Sequence, residues 1–312
     1  MAAGDSVRTD THRPARLLPF QDRRVPEVKL SVLIVTWNSS ADIDTCLDSL
    51  NFSQPFEVIV VDNASTDDTR ARLRQHQHLR VVLNDTNAGY ARANNQAARM
   101  AQGEYILLLN PDTRVELGAL DLLAGFLDSN PDFAAVAPRL VNPDGSTQLS
   151  VRGFPTFTSV LWEITGLPRL LPRCRLFGGW RRRWFDYDSP AEVAQPMASC
   201  LMLRRAVWNE LGGFDESFPI FYNDVDLSRR LADSGYRTWF LSRARVVHRV
   251  GASTSQVRIR MLREASRSLF RYLRKHDHRA FWLKAAILLP LLEVVTLTRT
   301  LVWRLRRRSG TD

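Results

Sequence analysis

The chain has 312 residues, 45% of them apolar and 24% charged, with a net charge of +10, enough to bury a substantial core as one large domain or two modest ones. Its three cysteines, Cys46, Cys174 and Cys200, are odd in number and lack a CxxC pair, which excludes a disulfide framework or a cysteine zinc site and fits a reducing compartment. Residues 249–312 hold 15 Lys and Arg against 4 Asp and Glu, whereas residues 1–248 hold 28 against 29, so the positive charge is a partly apolar tail suited to an anionic lipid surface rather than to nucleic acid.

Residues 1–27 are polar, punctuated by Pro14 and Pro26, and without an apolar core of signal-peptide length; they read as a flexible leader on a chain that stays in the cytosol. From Lys29 onward short apolar runs alternate with helical stretches, the pattern of βαβ units around a mostly parallel central sheet. Strands are expected at 30–37, 56–62, 79–84 and 105–110. Between them lie a helix from Ser39 or Ser40 to about Leu50, another opened by Ser65, Asp67 and Asp68 and running to about Gln75, and a third from Gly89 to Met100. A helix from about Glu116 to Ser129 precedes a strand at 133–140 and the turn "NPDGS". Residues 150–194, with aromatics, prolines and the run Arg181, Arg182, Arg183, read as a mobile excursion near the substrate.

A strand at 198–205 follows, then a short helix ended by Gly212 and Gly213, a helix on "DVDLSRRLADSG" stopped at Gly235, and two edge strands, "YRTWFLS" and "ARVVH". The tail predicts helices at 258–276 and 280–308. Lys284, Pro290, Glu293 and Arg299 interrupt the second, so an interfacial pair of helices is expected, with a spanning segment or packing into the core or a homo-oligomer as the alternatives. The division is therefore a leader at 1–27, an α/β domain at 28–252 and a basic, membrane-associating helical region at 253–312.

Three carboxylates stand where apolar runs end. Asp62 closes "FEVIVV" and faces "TWN", Thr36, Trp37 and Asn38; ligands of open α/β sheets collect at such strand ends. There Asp62 can accept the imide N–H of uracil or thymine while Trp37 or the Thr36 backbone lies against the ring; the plain alternative is an Asx turn with Ala64 or Ser65. Asn110 and Asp112 in "LLLNPDT" are two apart, so an extended segment turns both the same way, where hard oxygens suit Mg²⁺ or Mn²⁺ against a diphosphate. His248, ending another strand, is the candidate third ligand, although a lone His is more often packed. Asp224 emerges at a helix start beside Phe214, Phe218, Phe221 and Tyr222, where an apolar wall can raise the basicity of a general base. Asp226 is expected to serve the helix start or orient Arg229 and Arg230.

Taken in order, "VLIVTWN", "VVDNASTDDT", "NAGYARANNQA", "LLLNPDT", "GGFDESF", "NDVDLSRRL" and "HRVGAS" resemble the family 2 inverting glycosyltransferases with the GT-A nucleotide-binding α/β sandwich, most closely the rhamnosyltransferase-like branch. The resemblance covers about residues 30–250. It implies a nucleoside-diphosphate sugar donor, with dTDP-rhamnose the expected one; the basic tail, which would hold the chain at the cytoplasmic face of the membrane, adds the expectation of a polyprenyl-diphosphate-linked saccharide as acceptor. It also implies Asp62 on the base, Asn87, Gly89 and Asn94 on the donor side, Asp112 as the metal-binding carboxylate, Asp224 as catalytic base and His248 as metal ligand. Many relatives carry an acidic residue before the base where this chain has Asn223. Another UDP- or dTDP-sugar, or a silent protein that keeps the sugar-nucleotide site, are the competing expectations.

Overall fold

A computed structural model describes residues 16–17, 28–171, 173–249, 258–277 and 281–308. A two-residue strand β1 (Arg16–Leu17) pairs antiparallel with Leu83 and Val82; the rest of the expected leader, and 250–253 of "HRVGAS", lie outside the described residues. The first half of the domain is β2 (Leu30–Thr36), α1 (Ile43–Asp48), β3 (Phe56–Asp62), α2 (Thr69–Leu73), β4 (Leu79–Leu83), α3 (Tyr90–Ala98) and β5 (Tyr105–Leu109). Strands β4, β3, β2 and β5 lie side by side and parallel. Every residue of β2 is buried. Its alternate side chains serve opposite faces, Val32 and Ile34 packing with α1 and α2 residues, Leu33 and Val35 with the alanines of α3, as a two-unit side-chain repeat requires. Each such Val, Leu or Ile contributes about 1.5–3 kcal/mol of transfer free energy, and that two-sided burial is why these runs read as uninterrupted apolar stretches.

The second half adds β6 (Thr113–Val115), α4 (Ala119–Ser129), β7 (Phe133–Val141), β8 (Val151–Arg152), α5 (Phe157–Thr165), α6 (Leu167–Leu170), α7 (Arg175–Gly178), β9 (Ala191–Glu192), β10 (Gln195–Pro196), β11 (Cys200–Arg204), α8 (Arg205–Glu210), α9 (Asn223–Asp233) and β12 (Arg237–His248). The sheet continues from β5 through β11, β7 and β12 to β6. It is parallel over its first half, as expected, and mixed beyond β5: β11 runs antiparallel to both neighbours, β12 parallel to β7. The two predicted edge strands are one, β12, which pairs with β7, β6 and β9 and absorbs a register shift between Leu241 and Arg245. That irregularity falls where "S-R" broke the apolar alternation.

The described part of residues 150–194 holds regular elements that the sequence reading did not place. Thr156 and Ser159 form a reciprocal capping box at the start of α5, and Gly166 ends the helix at φ +79°, start and stop signals that the aromatic and arginine content obscured. The tail helices form where expected, as α10 (Arg258–His276) and α11 (Phe281–Arg308). They are packed onto the domain: Leu269, Tyr272, Leu273 and Leu288 share a buried cluster with Val160 of α5, Trp180, Phe218 and Val225 of α9. The opposite face of α11 leaves Trp282, Leu283, Ile287, Val294 and Leu297 exposed. Among the described residues no helix is long and apolar enough to cross a membrane, which sets the spanning alternative aside.

Candidate active site

The ends of β2, β3 and β5 form one rim. Asp62 lies opposite Thr36 in the ladder, two strand spacings, or roughly 10 Å, from the end of β5. Its carboxylate has no exposed surface. Oδ1 accepts from Thr36 Oγ1 at 3.2 Å, and Oδ2 accepts from the Ser65 N–H at 3.1 Å and Arg70 Nε at 2.7 Å. The carboxylate therefore bonds the backbone of the turn after its strand, three residues on. Ser65 does not open α2 as expected: its hydroxyl accepts the Asn38 N–H at 2.9 Å, and Asp67 serves that helix start through the Thr69 N–H. Asn38, at φ +50°, also receives the Thr66 N–H on its side-chain oxygen. Asp62 thus ties the loop after β2, with Thr36, Trp37 and Asn38, to the loop after β3.

A second amide network fixes the next wall. Asn63 donates to Asn87 Oδ1 at 3.1 Å and to the Gly89 carbonyl at 3.2 Å, while its oxygen accepts from Asn84 and the Ala88 N–H. Gly89 sits at φ +87°, and a Cβ there would meet the Pro219 carbonyl at 2.9 Å, so glycine is required twice over. Asn94 is buried in α3; its nitrogen donates to the Tyr90 carbonyl, and its oxygen has no partner among the described residues.

Asn110 and Asp112 do not lie side by side on an extended segment. Residues 110–112 form a tight turn between β5 and β6, closed by Thr113 Oγ1 on the Asn110 carbonyl at 2.7 Å. The Asn110 side chain instead accepts from the Tyr90 hydroxyl at 3.1 Å. Asp112 faces His248, with Oδ1 to Nε2 at 3.4 Å, because β12 runs antiparallel to β6 and pairs His248 with Thr113. Gln148 sets the histidine tautomer. Its amide nitrogen donates to the His248 carbonyl at 2.6 Å, so its oxygen is the atom 3.0 Å from Nδ1. Nδ1 therefore carries the hydrogen, and in the neutral ring Nε2 turns its lone pair toward Asp112. Asp112 Oδ1 is itself buried without a hydrogen-bond partner among the described residues. Two acceptors held face to face fit a shared cation. No group of three or more His, Cys, Asp or Glu able to hold a metal occurs among the described residues, so this pair would leave most coordination positions to a ligand.

Asp224 lies in the first turn of α9. Tyr222, at φ +67°, turns the chain into the helix. Asp224 Oδ1 accepts the Val225 N–H at 2.8 Å and Oδ2 accepts from Gln195 Nε2 at 3.3 Å. Burial pushes its pKa above the ordinary carboxylate value, with the positive charge of Arg152 and backbone donors acting in opposition. Asn223 beneath it is buried; its nitrogen donates to the Ile220 carbonyl at 2.8 Å and its oxygen receives the Asp224 N–H at 2.7 Å. A carboxylate at 223 would point an acceptor at that carbonyl. Asn223→Asp is thus expected to cost about 1–3 kcal/mol at pH 8, and the loss should shrink on acidification, because a protonated Asp donates again. Urea denaturation at pH 8 and pH 5 checks both.

The expected aromatic wall is divided among packing tasks: Phe214 contacts Trp208 and Tyr90 in the core, and Tyr222 lies against Tyr272 of α10. Asp226 bonds Arg230 as predicted, at 2.8 Å, whereas Arg229 pairs with Asp233. Lys275 and His276 of α10 also reach Asp226, at 2.7 and 2.8 Å, which sequence reading did not anticipate. Tyr90 shows how the parts converge. Burial raises its pKa first, and the charges of Asp224 and Asp112 add to the rise; its hydroxyl donates to Asn110 Oδ1 at 3.1 Å and lies 3.5 Å from the Ala198 carbonyl, and the Ala198 backbone in turn bonds Asp224.

Residues 31–183 match the family model described as glycosyl transferase family 2. The N-acetylglucosaminyl-diphospho-decaprenol L-rhamnosyltransferase of Mycobacterium tuberculosis is 28% identical over 83% of this chain and 87% of its own length. The O-antigen biosynthesis protein RfbC of Myxococcus xanthus is 32% identical over 78% of this chain, which spans 18% of that larger protein. Among solved structures, mannosyltransferase PcManGT from Pyrobaculum calidifontis, in complex with GDP-Man and Mn²⁺, superposes with a TM-score of 0.56 at 18% identity, covering 96% of this chain and 86% of that one. This last likeness establishes the fold.

Proposed function

The chain belongs to glycosyl transferase family 2 and has the GT-A fold, and from that footing we propose that it transfers a hexose from a nucleoside diphosphate to a polyprenyl-diphosphate-linked saccharide, with dTDP-rhamnose as donor and inversion at the anomeric carbon. The observation that carries the reading is that Tyr90 bridges the Asn110–Asp112 turn, through Asn110 Oδ1, to Ala198, whose backbone bonds Asp224, one carboxylate placed for a cation and the other, shifted toward basicity, for a proton. The Mycobacterium relative's name supplies the lipid-linked acceptor and the rhamnosyl group.

In the proposed displacement Asp224 takes the proton of the acceptor hydroxyl, whose oxygen forms the new bond to the anomeric carbon as the nucleoside diphosphate leaves from the opposite side. General-base assistance of this kind contributes about 10²–10⁴-fold, and holding both partners in line contributes further. Asp112 and His248 Nε2 would hold Mg²⁺ or Mn²⁺, which when bound supplies charge stabilisation to the leaving diphosphate. Asn110 and Tyr90 border the sugar. Asp62 and Asn63 act one layer behind the donor, keeping Thr36, Trp37 and Asn38 on the base side and Asn87 and Gly89 on the opposite wall. Residues 28–252 then form the catalytic domain, and α10 and α11 rest the exposed apolar face of α11 on the cytoplasmic leaflet.

Transfer of radiolabelled sugar from a panel of dTDP- and UDP-sugars to a short-chain lipid-diphosphate saccharide tests the reading. Product is expected with dTDP-rhamnose above the other donors. Product with none of the panel would overturn the enzymatic reading, and a strong preference for a UDP-sugar would overturn the donor assignment.

A further inference from the structure

Three arginines near the proposed base have a surplus of positive charge over the carboxylates that pair with them among the described residues. Arg152 of β8 lies across from Gln195 of β10 in an antiparallel pair, so the two side chains share a face, and Gln195 is the residue that touches Asp224. Arg152 is partly buried and has no carboxylate within ion-pair distance among the described residues; its hydrogen bond is to Met197 Sδ at 3.9 Å. Gly153 brings the neighbouring segment against it. The Gly153 N–H donates to the Trp180 carbonyl at 2.8 Å, and a Cβ at 153 would meet the Gly179 carbonyl at 2.4 Å. That contact delivers Arg181 and Arg182. Arg181 stacks over Trp180 at 4.4 Å and lies 3.5 Å from Glu163, the one carboxylate among the described residues in ion-pair contact with any of the three. Arg182 is held at φ +44°, a strained conformation for a residue with a side chain, and makes no ion pair among the described residues. Burial and the charge of Arg181 both work against the protonated state of Arg152. Partly desolvated guanidinium groups crowded in this way form a site for an anion, and their forked donors match phosphate oxygens.

The position of Asp224 says which anion. In an in-line displacement the base and the leaving group stand on opposite sides of the anomeric carbon. Arg152 shares a face with Gln195, which bonds Asp224, so it stands on the acceptor's side and not with the leaving diphosphate near Asp112. The same segment continues into α5, which packs against α11, whose far face is apolar and exposed. We propose that Arg152, Arg181 and Arg182 seat the phosphate or diphosphate of the acceptor, making the enzyme selective for a phosphate-linked amphiphile over the same saccharide without phosphate. The proposal rests on the transferase reading.

Two readouts keep the proposal and that reading separable. Calorimetric titration of a short-chain saccharide diphosphate, without vesicles, is expected to show binding to the wild-type protein and a loss of about 10- to 100-fold in Arg152→Gln and Arg182→Gln, the scale of a lost charge-assisted hydrogen bond. The ratio of kcat/KM for this acceptor over its phosphate-free analogue is expected to fall by the same factor, at a pH on the plateau of each variant's own profile. Donor-induced thermal stabilisation verifies that each variant folds. Equal losses for both acceptors, or unchanged binding of the diphosphate, would overturn the seat. So would a defect confined to binding vesicles of anionic phospholipid, because the arginines would then serve membrane headgroups. Binding that is lost in the variants, in a wild type that transfers nothing, would retain the seat and sink the transferase reading.

Discussion

Asp224→Asn is expected to lower transfer by about 10³–10⁴-fold while leaving donor binding within a few-fold, the upper range for loss of a general base. The amide can keep the Val225 N–H contact on its oxygen but cannot accept the acceptor's proton. The same substitution is expected to raise the melting temperature at pH 8. Burial lifts the folded-state pKa of Asp224 above the ordinary carboxylate value, so the folded chain binds that proton more tightly than the unfolded one. Ionisation therefore works against the fold above the raised pKa, and the penalty fades as pH falls through the unfolded value. The wild-type and Asn proteins should converge in stability toward pH 4. The acid limb of the wild-type pH–rate profile should lie above the range of an exposed Asp. A variant with unchanged kcat, or one less stable at pH 8 than at pH 4 relative to wild type, would contradict the assignment.

Asp112→Asn is expected to remove stabilisation by Mn²⁺ plus nucleoside diphosphate and to lower kcat/KM by about 10²–10³-fold, comparable to removing one electrostatic contact from a transition state. The apo protein should not lose stability, because an amide N–H at 112 supplies a donor to the Nε2 lone pair of His248 where the wild type sets two acceptors 3.4 Å apart. Gln148→Leu should give a milder version, about 10–100-fold weaker Mn²⁺ affinity, by releasing the histidine tautomer. Thermal denaturation with and without Mn²⁺ and dTDP reads both. Equal Mn²⁺ stabilisation of wild type and Asp112→Asn would show that the cation binds elsewhere.

The fold was legible where one local signal decided the outcome. β2, β3 and β5 are short apolar runs buried on both faces, and α9 carries its stop at Gly235 in plain view. β6, three residues long, offers too little pattern to detect, and the two halves of β12 read separately because the register shift after Leu241 interrupts their alternation. The same division holds in the site. Asp62, Asp112, Asp224 and His248 stand at element ends and can be read from the chain. The residues that condition them cannot: Tyr90 meets Asn110 across 20 positions, Gln195 meets Asp224 across 29, and Gln148 meets His248 across 100. Such contacts exist only once the sheet has formed. Asn110 was misplaced for a related reason: alternation assumes an extended chain, and Pro111 sits in a turn.

The most direct test of a single cleft shared by cation holder and proton acceptor is a crystal structure with dTDP and Mn²⁺, the metal located by its anomalous scattering. The account predicts one manganese site coordinated by the Asp112 carboxylate, His248 Nε2 and diphosphate oxygens, with Asp224 across the space the sugar would fill. Manganese and nucleotide bound away from Asp112, or Asp224 walled off from the diphosphate, would contradict it.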